Sequence, residues 1–462
     1  MSEAGQEDHH AGAGERRNRS IRRAVITSLA SKAGTALLQL VSIPIAIRVL
    51  GREEFGLYAS ISMVITMVIL LEIGVGPALT HGLSQASARG QRRRQREYYS
   101  TSFFLMLALG AIGGLALLLA TNQLPPAVVF GEAFSEYATT LRPALWLGIG
   151  LFTAVFVLGH TDRVREGYLE VGHNNLWGAA GNLLAAFSIA IGIWFFPNIS
   201  FLLLAVFGSQ VLARLANTLH LWCSRPYLLP RLSLFRPAIA RALIKDGLAF
   251  SAALSVVGLV EYNLATNLVG RIGGPEAVAV YSVMITICIS ALGFVVMVTN
   301  PTWPALVDAR ARGDLEWIRL ASRRLYRLAL GVGAIAFLGL AVLGPVLLPL
   351  WLGAEFNDVG RVTLAAFGVY FIAHLWRHVG HILLMGIGRV GCLARVQLAE
   401  SALILIPATA GMQAFGIPGL FIAMALTIAS MTGWALPWMF ARSIGKGAKG
   451  QGTEVDDALL EC

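Results

Sequence analysis

Apolar residues along the chain gather into about twelve long runs separated by short polar joints. The runs fall near 24–47, 57–80, 101–120, 141–160, 176–196, 200–222, 247–270, 278–299, 326–351, 362–385, 393–413 and 418–441. A helix needs roughly 20 mostly apolar residues to cross the hydrocarbon core of a bilayer. Backbone polar groups in lipid must be satisfied within the protein, which leaves helices or a closed barrel. Barrel strands alternate over about ten residues, and these runs do not alternate. The pattern predicts an all-α polytopic membrane protein of about 12 transmembrane helices.

Charge orients the bundle. Of the 36 Lys and Arg residues, 30 lie on one side when the N-terminus is taken as cytoplasmic, and five (Arg48, Arg52, Arg142, Arg271, Arg361) lie on the other. Arg214 falls within a span. Cytoplasmic loops carry the excess of basic residues, so both termini are expected in the cytoplasm, with the chain in the plasma (inner) membrane. The net charge of +10 is explained by this bias and does not point to nucleic acid. Cys223 and Cys392 fall at expected inner loops, Cys288 in a span and Cys462 at the end, so no disulfide is expected. The polar tail 1–23 precedes a span too long for a signal peptide and reads as an uncleaved anchor.

The second half repeats the first. Arg48-Val-Leu-Gly51-Arg-Glu53 with Tyr58 after span one is matched by Val269-Gly270-Arg-Ile-Gly-Gly-Pro-Glu276 with Tyr281 after span seven, each a Gly/Arg turn, an acidic residue and a Tyr opening the next helix. Pro77-Ala-Leu followed by Ala88-Arg-Gly90 is matched by Pro304-Ala-Leu followed by Ala311-Arg-Gly313. Leu169-Glu-Val-Gly172 is set against Met385-Gly-Ile-Gly388. Six spans per half is an even number, so the repeats share one orientation, an arrangement found in transporters. The expected organisation is a tail (1–23), a six-helix lobe (24–222), a linker (223–246), a second six-helix lobe (247–441) and a tail (442–462). In the linker, Leu232, Leu234, Phe235, Ile239, Leu243 and Ile244 alternate with Arg231, Arg236, Arg241 and Lys245. That pattern predicts a short basic amphipathic helix on the inner leaflet.

Four segments resemble one family, the polysaccharide (O-antigen/exopolysaccharide) flippases of the multidrug/oligosaccharidyl-lipid/polysaccharide exporter superfamily. They are Leu50-Gly-Arg-Glu-Glu-Phe-Gly-Leu-Tyr-Ala59, Glu72-Ile-Gly-Val-Gly76, Glu166-Gly-Tyr-Leu-Glu-Val-Gly-His-Asn-Asn175 and Met385-Gly-Ile-Gly388. None is a catalytic signature, and the likeness covers nearly the whole chain. The resemblance implies two parallel six-helix lobes around a central cavity, alternating access, and movement of a polyprenyl-pyrophosphate-linked oligosaccharide. The implied partners are that lipid-linked oligosaccharide, membrane lipids and other polysaccharide-assembly proteins. No cofactor is implied.

Polar residues inside a span are costly and should face the bundle interior. Span ten carries His374, Arg377, His378 and His381 on one arc with Tyr370. Span seven carries Asn263, Asn267 and Arg271 at i, i+4 and i+8. With Arg48, these are the candidate cavity-lining residues, since a guanidinium fork suits pyrophosphate and the others suit sugar hydroxyls. Gln210, Arg214 and Asn217 on span six form a weaker stripe. The bland alternative is interhelical bonding for the amides and snorkelling for the cations. Glu72, Glu261 and Glu400 are acids within spans. A proton-coupled carrier needs such carboxylates, although each could instead pair with a buried cation.

Two motifs are set aside. Gly386-Ile-Gly-Arg-Val-Gly391 matches a dinucleotide fingerprint but lacks the strand–helix setting that motif requires. His374, His378 and His381 have a spacing that could ligate metal, yet no carboxylate or Cys accompanies them on that helix. A multidrug or metabolite antiporter of the same superfamily is the alternative function, and a membrane-embedded polysaccharide-assembly enzyme the second. The enzyme reading needs a catalytic acid or base outside the bilayer, and the longest outer loop offers only Glu132 and Glu136. The chain is therefore not expected to be an enzyme. For the topology, cysteines placed at Asn122 or Asn198 should react with an impermeant thiol reagent in whole cells, and cysteines at Gln91 or Gln451 should not; labelling at Gln91 would invert the orientation.

Overall fold

The computed structural model describes residues 32, 34–66, 75–254, 256–311 and 313–447. The start of the first expected span, the stretch holding Glu72, the N-terminal tail and the residues beyond 447 lie outside the described residues. Among the described residues there is no strand, and each of the twelve expected runs is mainly helical where it is described, with breaks at Gly159, 193–196, Ile404 and Met431. The helices are apolar on faces that no protein covers. Ile112, Leu115 and Leu119 on Arg92–Gln123 are exposed, as are Ile335, Leu338, Val342, Val346 and Leu350 on Leu315–Leu352. A helix apolar all round suits a hydrocarbon solvent.

Two pairs of spans are joined by a single glycine. Hydrogen bonding runs through Ala265–Ala311, but Gly274 takes φ 72° and ψ −173° and reverses the chain. The Tyr281 hydroxyl therefore donates to the carbonyl of Glu261 at 2.6 Å. On a straight helix those residues would stand about 30 Å apart. Gly416 (φ 65°) does the same inside Leu405–Ser430. After that turn Gly411 and Gly419 pack backbone to backbone, so a Cβ on either would strike the other's carbonyl. Left-handed φ values carry no steric penalty for glycine.

Local geometry repeats along the chain. Gly51 and Gly274, 223 residues apart, both have positive φ. Gly90 and Gly313, again 223 apart, both close a helix with a left-handed residue. In the first turn Gln91 N–H donates to Ala86 and Gly90 N–H to Ser87; in the second Asp314 donates to Ala309 and Gly313 to Arg310. These are the paired bonds of a Schellman cap. A third pair matches Leu169 (φ 59°) with Gly388 (φ 73°). Glu170 N–H donates to Arg165 and Leu169 to Glu166, as Arg389 donates to Leu384 and Gly388 to Met385. The register of that pair therefore sets Gly388 against Leu169 rather than Gly172. Gly167 packs on Leu83 as Gly386 packs on Leu306. That contact sets Leu306 against Leu83, one helical turn from the Pro-Ala-Leu match to Leu79.

Contacts divide the chain into two compact units. The first gathers residues up to Leu50, Val64–Val129 and Glu136–Phe250; the second gathers Gly51–Met63, Phe130–Ser135 and the residues from Ser251 onward. Two short pieces of the first half thus belong to the second unit. Arg52 holds one of them. Its guanidinium bonds Asp358 Oδ1 at 2.7 Å and the Glu355 carbonyl at 2.8 Å, and its backbone N–H donates to Glu355 Oε2 at 2.7 Å. Gly56 lies so close to Pro275 that a Cβ would strike the Pro275 carbonyl. Gly131 sits likewise against the Arg271 backbone.

The linker differs from the expected amphipathic helix. It has two short 3-10 turns, Pro226–Leu228 and Leu232–Leu234, and a helix starts only at Pro237 and runs on to Leu254. Pro226, Pro230 and Pro237 each lack an amide donor and disfavour helix in the preceding residue. The segment is instead docked on Arg92–Gln123. Arg231 N–H donates to Ser100 Oγ (3.2 Å), Arg236 N–H to Thr101 Oγ1 (2.9 Å), and Arg236 pairs with Glu97 (3.3 Å). Cys223 and Cys288 are free thiols.

Leu169 is 67% exposed and holds a conformation that its counterpart meets with glycine. A left-handed non-glycine residue costs about 1–2 kcal/mol. Leu169→Gly should raise the thermal unfolding midpoint of the purified protein, and Gly388→Ala should lower it. A fall with Leu169→Gly would mean that the leucine side chain contributes more than the backbone strain costs.

Candidate functional site

The second unit holds a buried charge centre. Arg377 lies on the helix Arg361–Gly386, Glu261 on the π-helical turn Leu259–Leu264, and Glu400 on Val390–Leu403. Arg377 Nη1 donates to Glu261 Oε1 at 2.5 Å and to Glu400 Oε1 at 2.8 Å; Nη2 donates to Glu261 Oε2 at 2.8 Å. Exposure is 3% for Arg377 and 1% for each acid. His374 Nδ1 stands 2.9 Å from Arg377 Nη2 and 3.2 Å from Glu261 Oε2. The Tyr370 hydroxyl donates to Glu261 Oε2 at 3.0 Å, and Thr432 donates to Glu400 Oε2 through both its amide and its hydroxyl. A π turn inserts one residue and loosens the carbonyl ladder. Here the Glu261 carbonyl accepts the Tyr281 hydroxyl. A comparable turn, Leu38–Ser42, lies in the first half at the corresponding place.

Two carboxylates and one guanidinium leave one negative charge in excess. A proton on His374 or on either acid would balance it. Arg377 Nη1 and Nη2 are committed to the acids and to His374 in this conformation.

The other sequence candidates spread outward from this centre. His378 Nε2 meets Thr299 Oγ1 at 3.0 Å, and His381 Nδ1 meets Gln397 Nε2 at 3.0 Å. Arg271 donates to Asn267 Oδ1 at 3.0 Å, and Arg271 is exposed while Asn263 and Asn267 are half-buried. Arg48 is exposed in the first unit. Glu72 lies outside the described residues. Sequence reasoning did not single out Thr432, and it marked Tyr281 only as a residue of the repeat, not as a partner of Glu261.

The first unit carries a second polar site. A cavity of about 290 Å³ is lined by Val75, Leu79, Met106, Phe152, Val155 and Phe156 together with His160, Asp162, Arg163, Glu166 and Arg214. The helix Ala138–Leu158 turns at Gly159 into His160–Gly167. That break lets Arg214 Nη1 reach the Val155 carbonyl at 2.6 Å while Nη2 stands 3.5 Å from Asp162 Oδ2. A Cβ on Gly159 would lie 2.7 Å from Arg214 Nη1. Asn217 donates to Asp162 Oδ1 (3.1 Å) and to Asn174 Oδ1 (3.2 Å), and Arg163 pairs with Glu166 (3.3 Å). Of this group, only Arg214 and Asn217 stood out in sequence; Arg163 had been read only as part of the positive-inside bias. The Asp162/Glu166 spacing of four was the available signal.

Beyond the end of that helix, Glu170 accepts from Arg165 (2.9 Å) and from Arg225 (2.6 and 3.1 Å). Burial pushes the Glu170 carboxyl up, but the hydrogen bonds and charge of Arg225, with Arg165, outweigh it and leave the group below its ordinary value. Arg225 also lies 4.3 Å over the Tyr168 ring.

Residues 21–309 match the family model described as polysaccharide biosynthesis protein. No curated protein matches the chain. Among solved structures, an inward-facing multidrug resistance MATE family transporter of the MOP superfamily is 16% identical, with 94% of this chain and 100% of that one covered and a TM-score of 0.69. An outward-facing structure of such a transporter is also 16% identical, with 93% and 97% covered and a TM-score of 0.67. A MOP superfamily transporter from Pyrococcus furiosus, described as having a binding pocket of reverse polarity, is 15% identical, with 94% and 97% covered and a TM-score of 0.67. These likenesses show the fold.

Removing one partner of a buried ion pair costs roughly 3–5 kcal/mol. Arg377→Ala should therefore lower the unfolding midpoint sharply, and adding Glu261→Gln and Glu400→Gln should recover much of the loss. An Arg377→Ala protein as stable as wild type would show that the acids are not charged in the folded protein.

Proposed function

We propose, since the chain belongs to the polysaccharide biosynthesis protein family, that it is a flippase. Its substrate is a polyprenyl-pyrophosphate-linked oligosaccharide, carried across the plasma (inner) membrane by alternating access for polysaccharide assembly. The observation that carries this reading is a polysaccharide-family match on a chain built almost wholly of membrane-spanning helices. Family and fold are those of transporters. The chain needs no cofactor for such work, and its termini lie in the cytoplasm.

The charge centre suits coupled transport. Arg377 can take a pyrophosphate oxygen only when Glu261 and Glu400 release it. Protonating an acid weakens its hold on the guanidinium, because the strong charge-assisted bonds become ordinary ones. Proton uptake and exchange of partners at Arg377 would then be one event. His374 touches both Arg377 and Glu261, and with His378, His381, Asn263, Asn267, Arg271 and Arg48 it offers further polar groups along the substrate path. Glu72 is a further candidate for ion coupling.

Deleting the gene should abolish a surface or secreted polysaccharide while its lipid-linked precursor accumulates on the inner leaflet. Extraction and mass measurement of polyprenyl-linked sugars checks this. A deletion strain that no longer makes the precursor would favour an assembly enzyme instead.

A further inference from the structure

The cavity of the first unit contains a built polar site that the flippase reading does not use. His160 is 2% exposed. Its Nε2 stands 2.7 Å from Ser102 Oγ, and the rings of Tyr99 and Phe103 pack edge-on against it. Its Nδ1 has no partner. His160 also lines the cavity, so this firmly held ring is a fixed element of its wall.

The charges around the cavity balance. Arg163 and Arg214 face Asp162 and Glu166. An organic cation would want excess acid, and a phosphate would want excess base. A balanced set of donors and acceptors suits a neutral group that does both, as a sugar hydroxyl does. Asp162 and Glu166 retain acceptor lone pairs beyond the bonds to Arg214, Asn217 and Arg163, and a guanidinium has five donors. Phe152, Phe156, Met106, Val75 and Leu79 supply an apolar wall for the C–H face of a ring. Small-molecule sites combine such walls with a few fixed polar groups and run from roughly 300 Å³ upward. At about 290 Å³ this cavity admits a single sugar-sized group and not an extended chain.

We propose that the first unit binds one neutral sugar-sized group of the transported glycan in this cavity, through His160, Asp162, Glu166 and Arg214. The identity of the glycan rests on the flippase reading; the binding does not. Gly159 is the enabling position, because any side chain there would push the Arg214 guanidinium out of place.

The test uses the full chain, purified in detergent, with methyl glycosides of glucose, galactose, mannose, rhamnose and N-acetylglucosamine as probes. Tetraphenylphosphonium and phenyl phosphate serve as charged controls. Saturation-transfer difference NMR should show ring-proton contact for at least one glycoside and for neither control. Asp162→Asn and Gly159→Ala should each weaken that glycoside roughly tenfold or more. Gly159→Ala alters no charged group and guards against a folding artefact in the first variant. Absence of any glycoside signal, an undiminished signal in both variants, or preferred binding of a charged control would overturn the proposal. Export in vivo with no glycoside binding would sink the pocket alone. Glycoside binding in a protein whose deletion stops precursor synthesis would sink the flippase reading alone.

Discussion

A guanidinium sealed inside an apolar helical bundle dictates much of what surrounds it. Arg377 is 3% exposed, and the cost of taking such a charge out of water is several kcal/mol before any partner answers it. The partners come from separate spans: Glu261, Glu400, His374 and, through Glu400, Thr432. Each partner is fixed in turn. Tyr370 holds Glu261, the π turn opens the Glu261 carbonyl to Tyr281, and the single-glycine reversal at Gly274 brings Tyr281 within reach. Spans seven, eight, ten, eleven and twelve thus converge on one positive charge. Their packing and their capacity to exchange partners are properties of the same cluster.

The first unit handles polarity differently. Its charges sit in small separate groups rather than in one centre. Arg214, Asp162, Asn217 and Asn174 form one group, and Arg165, Glu170 and Arg225 another. The second group ties the start of the linker to the first unit, and Arg231 and Arg236 continue the docking along Arg92–Gln123. The linker is held by backbone donors and proline geometry. Its basic residues supply charge to that surface rather than a helical stripe.

The spans were legible because lipid admits few solutions: long apolar runs become helices whatever their detailed sequence. The turns were legible where glycine marks a left-handed residue, as at Gly90 and Gly313. The reading slipped where that marker is missing, since Leu169 occupies a glycine's conformation and shifted the apparent register of the third match. Arg377, Glu261 and Glu400 each stood out as intramembrane charges, but their meeting did not. They lie 116 and 23 residues apart in sequence, and periodicity reports only which face of one helix a residue shares. The linker misled because alternation of Leu with Arg imitates an amphipathic helix throughout, while Pro226 and Pro230 break its first part and Pro237 delays the helix to Pro237–Leu254. The cavity at His160 depends on a helix break at Gly159, which looks in sequence like any other glycine in a span.

That break goes with a difference in helix length. The fourth span and its continuation run thirty residues from Ala138 to Gly167, while the matching helix runs 26 from Arg361 to Gly386. Both begin 223 residues apart, and both end in the same left-handed cap, so the four-residue excess is internal. Four residues are close to one whole turn, the insertion that least disturbs which side of a helix faces its neighbours. The longer helix borders the charge-lined cavity at His160 and Arg214, while the shorter one borders an apolar cavity at Val369, Ile372 and Trp376. Excising one turn around Gly159 would give the longer helix the length of its counterpart, keep its flanking residues in phase, and remove the backbone break on which the polar lining depends.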